Sequence, residues 1–336
     1  MLVCNLSITE RKTLFGEIER QKHISATAVE KDWWVTVVLH AIFSTDYAEH
    51  MVFKGGTSLS KGWHVIERFS EDIDIAIDRK FLGYGGILSK TQISDKLRRT
   101  SCKFVRDDLS KAVEQKLFTF GISSKDCRVS VYPTSVSTVD PEKIYVEYTS
   151  VYPETNAYTP NRVLIEAGAR SIITPFIHLP VQSFIGEMYS SEEFADKPIE
   201  VPITDACRTF LEKAFLLHEE FHSPAHTIRK DRMSRHLYDL EKMMDTEIEQ
   251  RAIQNHSTYR DIIEHRRHFI GLKGFDYDSL SPKSLNFVPP ASVHSAWERD
   301  YQAMRENMIY GKSLDFSQLL DRIKTLNERF KSIPYL

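Results

Sequence analysis

The sequence predicts an α/β domain over residues 1–200 followed by a helical domain over 201–336. Three observations carry this. An apolar run, a Gly-Gly pair and a helical stretch lead into a strictly alternating strand, the order expected of a sheet with a crossing helix. The middle of the chain is a succession of β-branched and aromatic runs parted by prolines. Past Pro198 and Pro202 the apolar residues recur at helical spacing.

Thr9 to Glu19 reads as a helix with Leu14, Phe15 and Ile18 on one face, and Ser25 and Thr27 precede a second helix that runs to Phe43. Met51 to Phe53 is a short strand, Gly55-Gly56 a tight turn, and Thr57 to Glu67 a helix. Asp72 to Ile77 alternates with period two, which separates Ile73, Ile75 and Ile77 from a face that carries both aspartates. A loop with Gly83, Gly85 and Gly86 leads to a long amphipathic helix over about Ser94 to Phe118. Arg128 to Tyr132, Ile144 to Tyr152 and Arg162 to Ala167 read as strands of a meander bounded by Pro133, Pro141, Pro153 and Pro160. Asp205 to Phe221, Arg235 to Gln254, Trp297 to Met308 and Phe316 to Lys331 read as helices. No internal repeat or low-complexity tract is visible.

Composition narrows the class. Of 336 residues 41% are hydrophobic and 27% charged, and 44 Lys+Arg against 47 Asp+Glu leaves a net charge of −3. Disorder is excluded at this hydrophobic content. Near-neutrality removes the simplest argument for nucleic-acid binding, a large excess of basic residues, while leaving local patches open. Cys4, Cys102, Cys127 and Cys207 are scattered without C-x-x-C spacing, which fits reduced thiols rather than a zinc knuckle or a disulfide framework. The start lacks a basic segment followed by a long apolar one, and no run approaches the roughly 18 apolar residues of a membrane span. The expectation is a soluble, cytoplasmic protein with no membrane partner.

The informative segment runs from Phe53 to Ile77. Two glycines after a strand let the backbone turn tightly and approach a ligand, and the free amides of the next helix favour an anion. Thr57, Ser58 and Lys61 add hydroxyl and ammonium donors suited to phosphate, although a plain structural turn explains the glycines equally well. Asp72 and Asp74 face the same way, about 6–7 Å apart along the strand, and so converge on a divalent cation such as magnesium, which takes hard oxygen ligands. The competing reading is a solvent-facing strand edge, but two like charges side by side repel unless something cationic sits between them.

This segment resembles the signature of DNA polymerase β-type nucleotidyltransferases: a glycine turn, a helix, then Asp-x-Asp on a strand. More specifically, Gly55-Gly56-Thr57-x-Leu59 followed by Arg68-Phe69-Ser70-Glu71-Asp72-Ile73-Asp74 resembles the AbiEii/AbiGii toxin family. Glu30-Lys31-Asp32-Trp33-Trp34, Glu212-Lys213-Ala214 and Arg235-His236-Leu237-Tyr238-Asp239-Leu240 are similar to three further stretches of that family, except that the pattern usually has Asp where this chain has His236. The resemblance spans roughly residues 28 to 242 and leaves the last ninety or so uncovered. It implies a polymerase β-like core with a mixed sheet and a third acidic ligand from a later strand. Glu166 is the candidate, a carboxylate inside an otherwise apolar run; a salt bridge to Arg162 or Arg170 is its structural alternative, and Glu147 its substitute. The resemblance also brings Lys213 and Asp239 to the nucleotide site, Lys213 to reach a triphosphate and Asp239 to orient it or a base.

The expectation is therefore a magnesium-dependent nucleotidyltransferase, with manganese as a possible substitute ion and an NTP as co-substrate. Asp72, Asp74 and Glu166 hold the metal, Gly55, Gly56, Thr57, Ser58 and Lys61 cradle phosphates, and Ser70 stands beside the metal strand. The helical C-terminal domain contributes to the nucleotide and acceptor site. The resemblance implies the toxin of a bacterial toxin–antitoxin or phage-defence pair, with RNA, in particular the 3′ end of tRNA, as acceptor, and an antitoxin from a separate gene that forms no stable complex. Arg229-Lys230-Asp231-Arg232 with Arg235-His236, and His265-Arg266-Arg267-His268, are candidate contacts for a phosphate backbone or ordinary solvated faces. Transfer to a protein or a small molecule, and a non-catalytic binding module on the same fold, stay open. So does the tail after Gly274, as a cap over the acceptor site or a stabilising bundle.

Overall fold

Helix α1 (Ile8–Lys22) starts at Ser7, whose hydroxyl accepts the Glu10 amide while the Glu10 carboxylate accepts the Ser7 amide, a reciprocal cap. Helix α2 (Ala26–Phe43) is buried along nearly its whole length, including three consecutive charged residues, Glu30, Lys31 and Asp32. The computed structural model describes residues 3–132, 141–152 and 160–334; Pro133 and Pro153, expected to bound strands, lie outside the described residues. The chain divides into two units, Met1–Trp63 with Phe69–Thr204, and His64–Arg68 with Asp205–Leu336.

The first unit continues with β1 (Met51–Lys54), α3 (Gly55–Lys61) and β2 (Asp72–Ile77). The helix predicted to reach Glu67 stops at Lys61, because Gly62 caps it and His64 turns to a left-handed φ of 51°. The long amphipathic helix is one continuous helical stretch over 92–119, in which a wider π-helical segment at Gln92–Leu97 leads into α4 (Arg98–Phe104) and a second at Val105–Leu109 joins α4 to α5 (Ser110–Thr119). Then come β3 (Cys127–Val131), β4 (Glu142–Tyr148), β5 (Arg162–Gly168), β6 (Phe176–Val181), α6 (Phe184–Met188) and β7 (Ile199–Thr204).

The seven strands form one mixed sheet in the order β3-β4-β5-β2-β1-β7-β6. β2 is antiparallel to β1 and parallel to β5, while β7 is parallel to β1 and antiparallel to β6. Ile73 and Ile75 of β2, Val163 and Ile165 of β5, and Ile144 and Val146 of β4 are buried on one face, against which α2 packs. Trp33 and Trp34 lie in this core, edge to face at 5.0 Å, with Trp34 stacked on Tyr148. Since alternate residues point to opposite faces, Asp72 and Asp74 are turned away from that core.

The second unit is helical: α7 (Ala206–Phe221), α8 (Ser234–Met243), α9 (Glu247–Gln254), α10 (His256–His265), α11 (His294–Asn307) and α12 (Phe316–Lys331). The single helix expected over Arg235 to Gln254 is two, parted at Asp245, whose φ is 62°. Phe210, Tyr259 and Phe287 gather around Phe330 within ring distances of 6.4 Å. Trp297 is fully buried against Phe221 and its indole N–H donates to the Arg229 carbonyl, so the tail after Gly274 builds the core of this bundle.

Candidate active site

The register of the sheet draws together residues far apart in sequence. Asp74 is paired with Glu166 across β2 and β5, and Glu166 with Lys143 across β5 and β4. Side chains at paired positions of neighbouring strands share a face, so Asp72, Asp74 and Glu166 all stand on the face opposite the core. Lys143 stands there too, with its Nζ 2.9 Å from Glu166 Oε1. That hydrogen bond, against the cost of partial burial and helped by the charges of Glu166 and Asp72, holds the ammonium above its ordinary range. The cation at Glu166 is thus Lys143, which the sequence did not single out; Arg162 instead lies over the Tyr145 ring at 4.3 Å. Glu147 is exposed and opposite Arg162, four residues further along β4 from Lys143.

The Gly-Gly turn serves Asp74 directly. Gly55 has a φ of 80°, and a Cβ placed on it would lie 2.0 Å from Asp74 Oδ2. Only a glycine leaves room for that carboxylate and adopts that backbone without strain. Thr57 ties the turn to the strand from below: its hydroxyl lies 2.5 Å from the Asp72 carbonyl and 2.8 Å from the Ser70 hydroxyl. Ser70 is therefore joined to the start of β2 through Thr57.

Thr57, Ser58 and Lys61, expected to offer side-chain donors to a phosphate, have partners within the fold. All three residues are buried. The Ser58 hydroxyl donates to the Gly55 carbonyl at 2.8 Å, and Lys61 Nζ lies 2.6 Å from Asp32 Oδ1. Residue type suggested phosphate donors, but the backbone and α2 already engage them. The three buried charges of α2 act in the same way. Glu30 accepts the Ser150 hydroxyl at 2.5 Å and the Val151 amide at 2.9 Å, Lys31 bonds to Glu71 and to the Pro160 carbonyl, and Asp32 also accepts the Phe184 amide. Glu71 immediately precedes Asp72, so α2 fixes the approach to the acidic strand.

In the second unit, Asp239 is wholly buried and lies between two cations. Arg68 donates through Nε and Nη2 to its two oxygens at 2.7 and 2.8 Å, and Lys213 Nζ lies 2.8 Å from Oδ2. Burial opposes the carboxylate charge, yet Arg68 and Lys213 hold it far below the usual range. Burial pulls Lys213 down, with Asp239 partly offsetting it. His236, half-buried, has Nδ1 3.5 Å from Lys213 Nζ; burial and that neighbouring charge push it well below its ordinary value, so the ring is neutral. Lys213 is thus held in place by Asp239, and Arg68 is the partner that the sequence did not assign.

The two basic clusters differ. Arg266 is buried on Glu219, the partly exposed Arg267 pairs with Asp278 at 2.7 Å, and the His265 ring stacks on Phe269, so within His265 to His268 Arg266 serves the interior of the unit. In the other, Arg229 and Lys230 are exposed, with Arg229 paired to Glu220.

Carboxylates on one face supply the hard oxygen donors a divalent cation takes, and Lys143 already places a positive charge among them. As the side chains stand, no group of three His, Cys, Asp or Glu among the described residues is gathered around one centre. The donor set fits a metal in kind, with Glu166 turned to Lys143.

A mixed sheet that sets Asp-x-Asp beside a glycine turn is the arrangement of a nucleotidyltransferase. The family model described as Nucleotidyl transferase AbiEii toxin, Type IV TA system, matches residues 38–322, and the chain belongs to this family. Membership makes it a nucleotidyltransferase toxin of a type IV toxin–antitoxin system, with an NTP substrate, a divalent metal and an antitoxin partner. No curated protein matches the chain. Among solved structures it is similar to JHP933 from Helicobacter pylori, at 13% identity and a TM-score of 0.44 over 92% of this chain and 93% of that one. It is also similar to MenT4, a nucleotidyltransferase toxin from Mycobacterium tuberculosis, at 15% identity and a TM-score of 0.41 over 95% and 99%. A third is a putative nucleotidyltransferase from H. pylori, at 13% identity and a TM-score of 0.44 over 92% and 96%. Among the described residues no helix is long and apolar enough to cross a membrane.

Proposed function

We propose that the chain transfers a nucleoside monophosphate from an NTP to the 3′-hydroxyl of an RNA, in particular a tRNA, with release of pyrophosphate. The observation that carries this reading is the acid face, where Asp72 and Asp74 share a side of β2 and Glu166 is the register partner of Asp74. These three residues would hold magnesium, with manganese as the substitute ion. When bound, the ion neutralises the polyphosphate and lowers the pKa of the acceptor hydroxyl. Gly55 places the backbone against Asp74, Gly56 follows it to face the phosphates, Ser70 and Thr57 hold the start of the metal strand, and Lys213, positioned by Asp239, belongs to the nucleotide site. The exposed Arg229 and Lys230 support a polyanionic acceptor. The biological role proposed with it is phage defence in the cytoplasm, with an antitoxin that acts without forming a stable complex.

The test is to incubate the protein with each α-labelled NTP, Mg²⁺ and total RNA. Label is expected in RNA for at least one NTP, and Asp72→Ala or Asp74→Ala should lower transfer by at least about a hundredfold. Label in protein or in a low-mass product instead of RNA would replace the acceptor. No transfer from any NTP would overturn the reading, and full transfer in either variant would remove the role given to that aspartate.

A further inference from the structure

Four neighbouring strands each carry one charged residue at the same level of the sheet. Register pairs Lys143 of β4 with Glu166 of β5, Glu166 with Asp74 of β2, and Asp74 with Lys54 of β1. A lysine–acid–acid–lysine row therefore crosses the face on which Asp72 also stands. Within it Lys143 Nζ lies 2.9 Å from Glu166 Oε1, and the two side chains are 32% and 27% exposed.

An ion pair this open to water contributes little to stability, so holding β4 to β5 does not account for the lysine at this position. What distinguishes the position is its competitor. A carboxylate proposed to ligate a divalent cation already accepts from an ammonium tethered to the adjacent strand. The same oxygen cannot serve both fully, because an ammonium and a divalent ion brought to one carboxylate repel each other.

We infer that Lys143 is a tethered competitor for the divalent cation at Glu166, which keeps that carboxylate engaged in the metal-free protein and gives it up when the ion binds. Lys143 is thus a positioning residue that sets metal affinity, and the inference rests on the reading of Asp72, Asp74 and Glu166 as the metal ligands.

The experiment is a Mn²⁺ titration of the full chain, followed by the electron paramagnetic resonance of the free ion, for the natural protein, Lys143→Met, Lys143→Arg and Asp74→Asn. Lys143→Met should bind Mn²⁺ about two- to fivefold more tightly, as expected for removal of one exposed competing pair, and Lys143→Arg should restore the natural affinity. Equal or weaker binding by Lys143→Met, with Asp74→Asn still impaired, overturns the role of Lys143 and leaves the metal reading standing. No Mn²⁺ binding by the natural protein, or binding indifferent to Asp74→Asn, overturns the metal reading and the inference with it. A measurement on the natural protein covers the case in which Lys143→Met does not fold. Acetylation of Lys143 by an amine-reactive ester, quantified by peptide mass spectrometry, should rise on saturation with Mn²⁺; an unchanged or lower extent overturns the inference.

Discussion

Gly55 meets two demands at once, a left-handed backbone and an empty space for the Asp74 carboxylate, and its neighbours in the sequence allow the two to be separated. Gly83 has nearly the same conformation, φ 86° against 80°, but nothing within 4 Å of where its Cβ would stand. Gly83→Ala should therefore cost only the backbone strain, about 1–2 kcal/mol, and leave nucleotidyl transfer unchanged. Gly55→Ala carries the same strain and forces Asp74 to move, so transfer should fall by at least about a hundredfold for a displaced catalytic geometry. Urea denaturation and initial rates on the two variants check this. Equal rates in both would mean that Asp74 does not depend on the space beside Gly55. Asp239 shows a related economy: Arg68 and Lys213, 145 positions apart in the chain (213 − 68), meet on its two oxygens, and neither cation is interpretable without the other.

Helix α2 shows what a buried helix can do with charge. Its sequence is apolar enough to be recognised as core, and Glu30-Lys31-Asp32 would ordinarily be assigned to a solvated face, yet each has a partner on another element. A buried pair that loses one member leaves an uncompensated charge, which is far more destabilising than removing both. Asp32→Ala should lower unfolding free energy by about 3–5 kcal/mol, and the double variant Asp32→Leu with Lys61→Met should recover much of that loss. Additive effects in a urea double-mutant cycle would show that the two are not coupled. The same contrast explains how far the elements were legible. β2 was read from Asp72 to Ile77 because strict alternation marks a sheet with one buried face. β6 and β7 are less legible, because each contains a proline; β6 is an edge strand, where a proline is tolerated, and β7 keeps only a short pairing to β1. Asp72, Asp74 and Glu166 could be placed on strands from pattern and resemblance. Lys143 could not, because its meeting with Glu166 depends on register across two strands, and the burial of Thr57, Ser58 and Lys61 depends on α2, neither of which is written in local sequence.

Across the whole molecule the net charge of −3 is the sum of features with opposite sign. The sheet of the first unit presents carboxylates, whereas the second unit engages many of its cations internally, Arg266 on Glu219 and both Arg68 and Lys213 on Asp239. Such a unit is sensitive to acid, and the sign follows from His218 and His236. His218 is fully buried; its Nδ1 accepts the Asn286 amide at 2.8 Å and its Nε2 lies 3.0 Å from the Ser279 hydroxyl. Burial, with the neighbouring His222, pushes it from 6.5 down to about 4. Between those values the unfolded chain takes up a proton that the folded one refuses, so stability falls as pH falls, by up to about 1.4 kcal/mol per pH unit for one such group. His236 acts with the same sign. Asp239 acts lower down: its depressed carboxyl contributes fully above the ordinary range near 4, and that contribution is lost only as the pH drops below it. The midpoint of thermal unfolding should accordingly decline from pH 6.5 to 4, and His218→Gln should flatten that slope while lowering the midpoint at neutral pH, because glutamine retains one of the two hydrogen bonds. A natural protein whose midpoint is level over this interval, or a variant with the unaltered slope, would place the acid sensitivity elsewhere than in the neutral imidazole of His218.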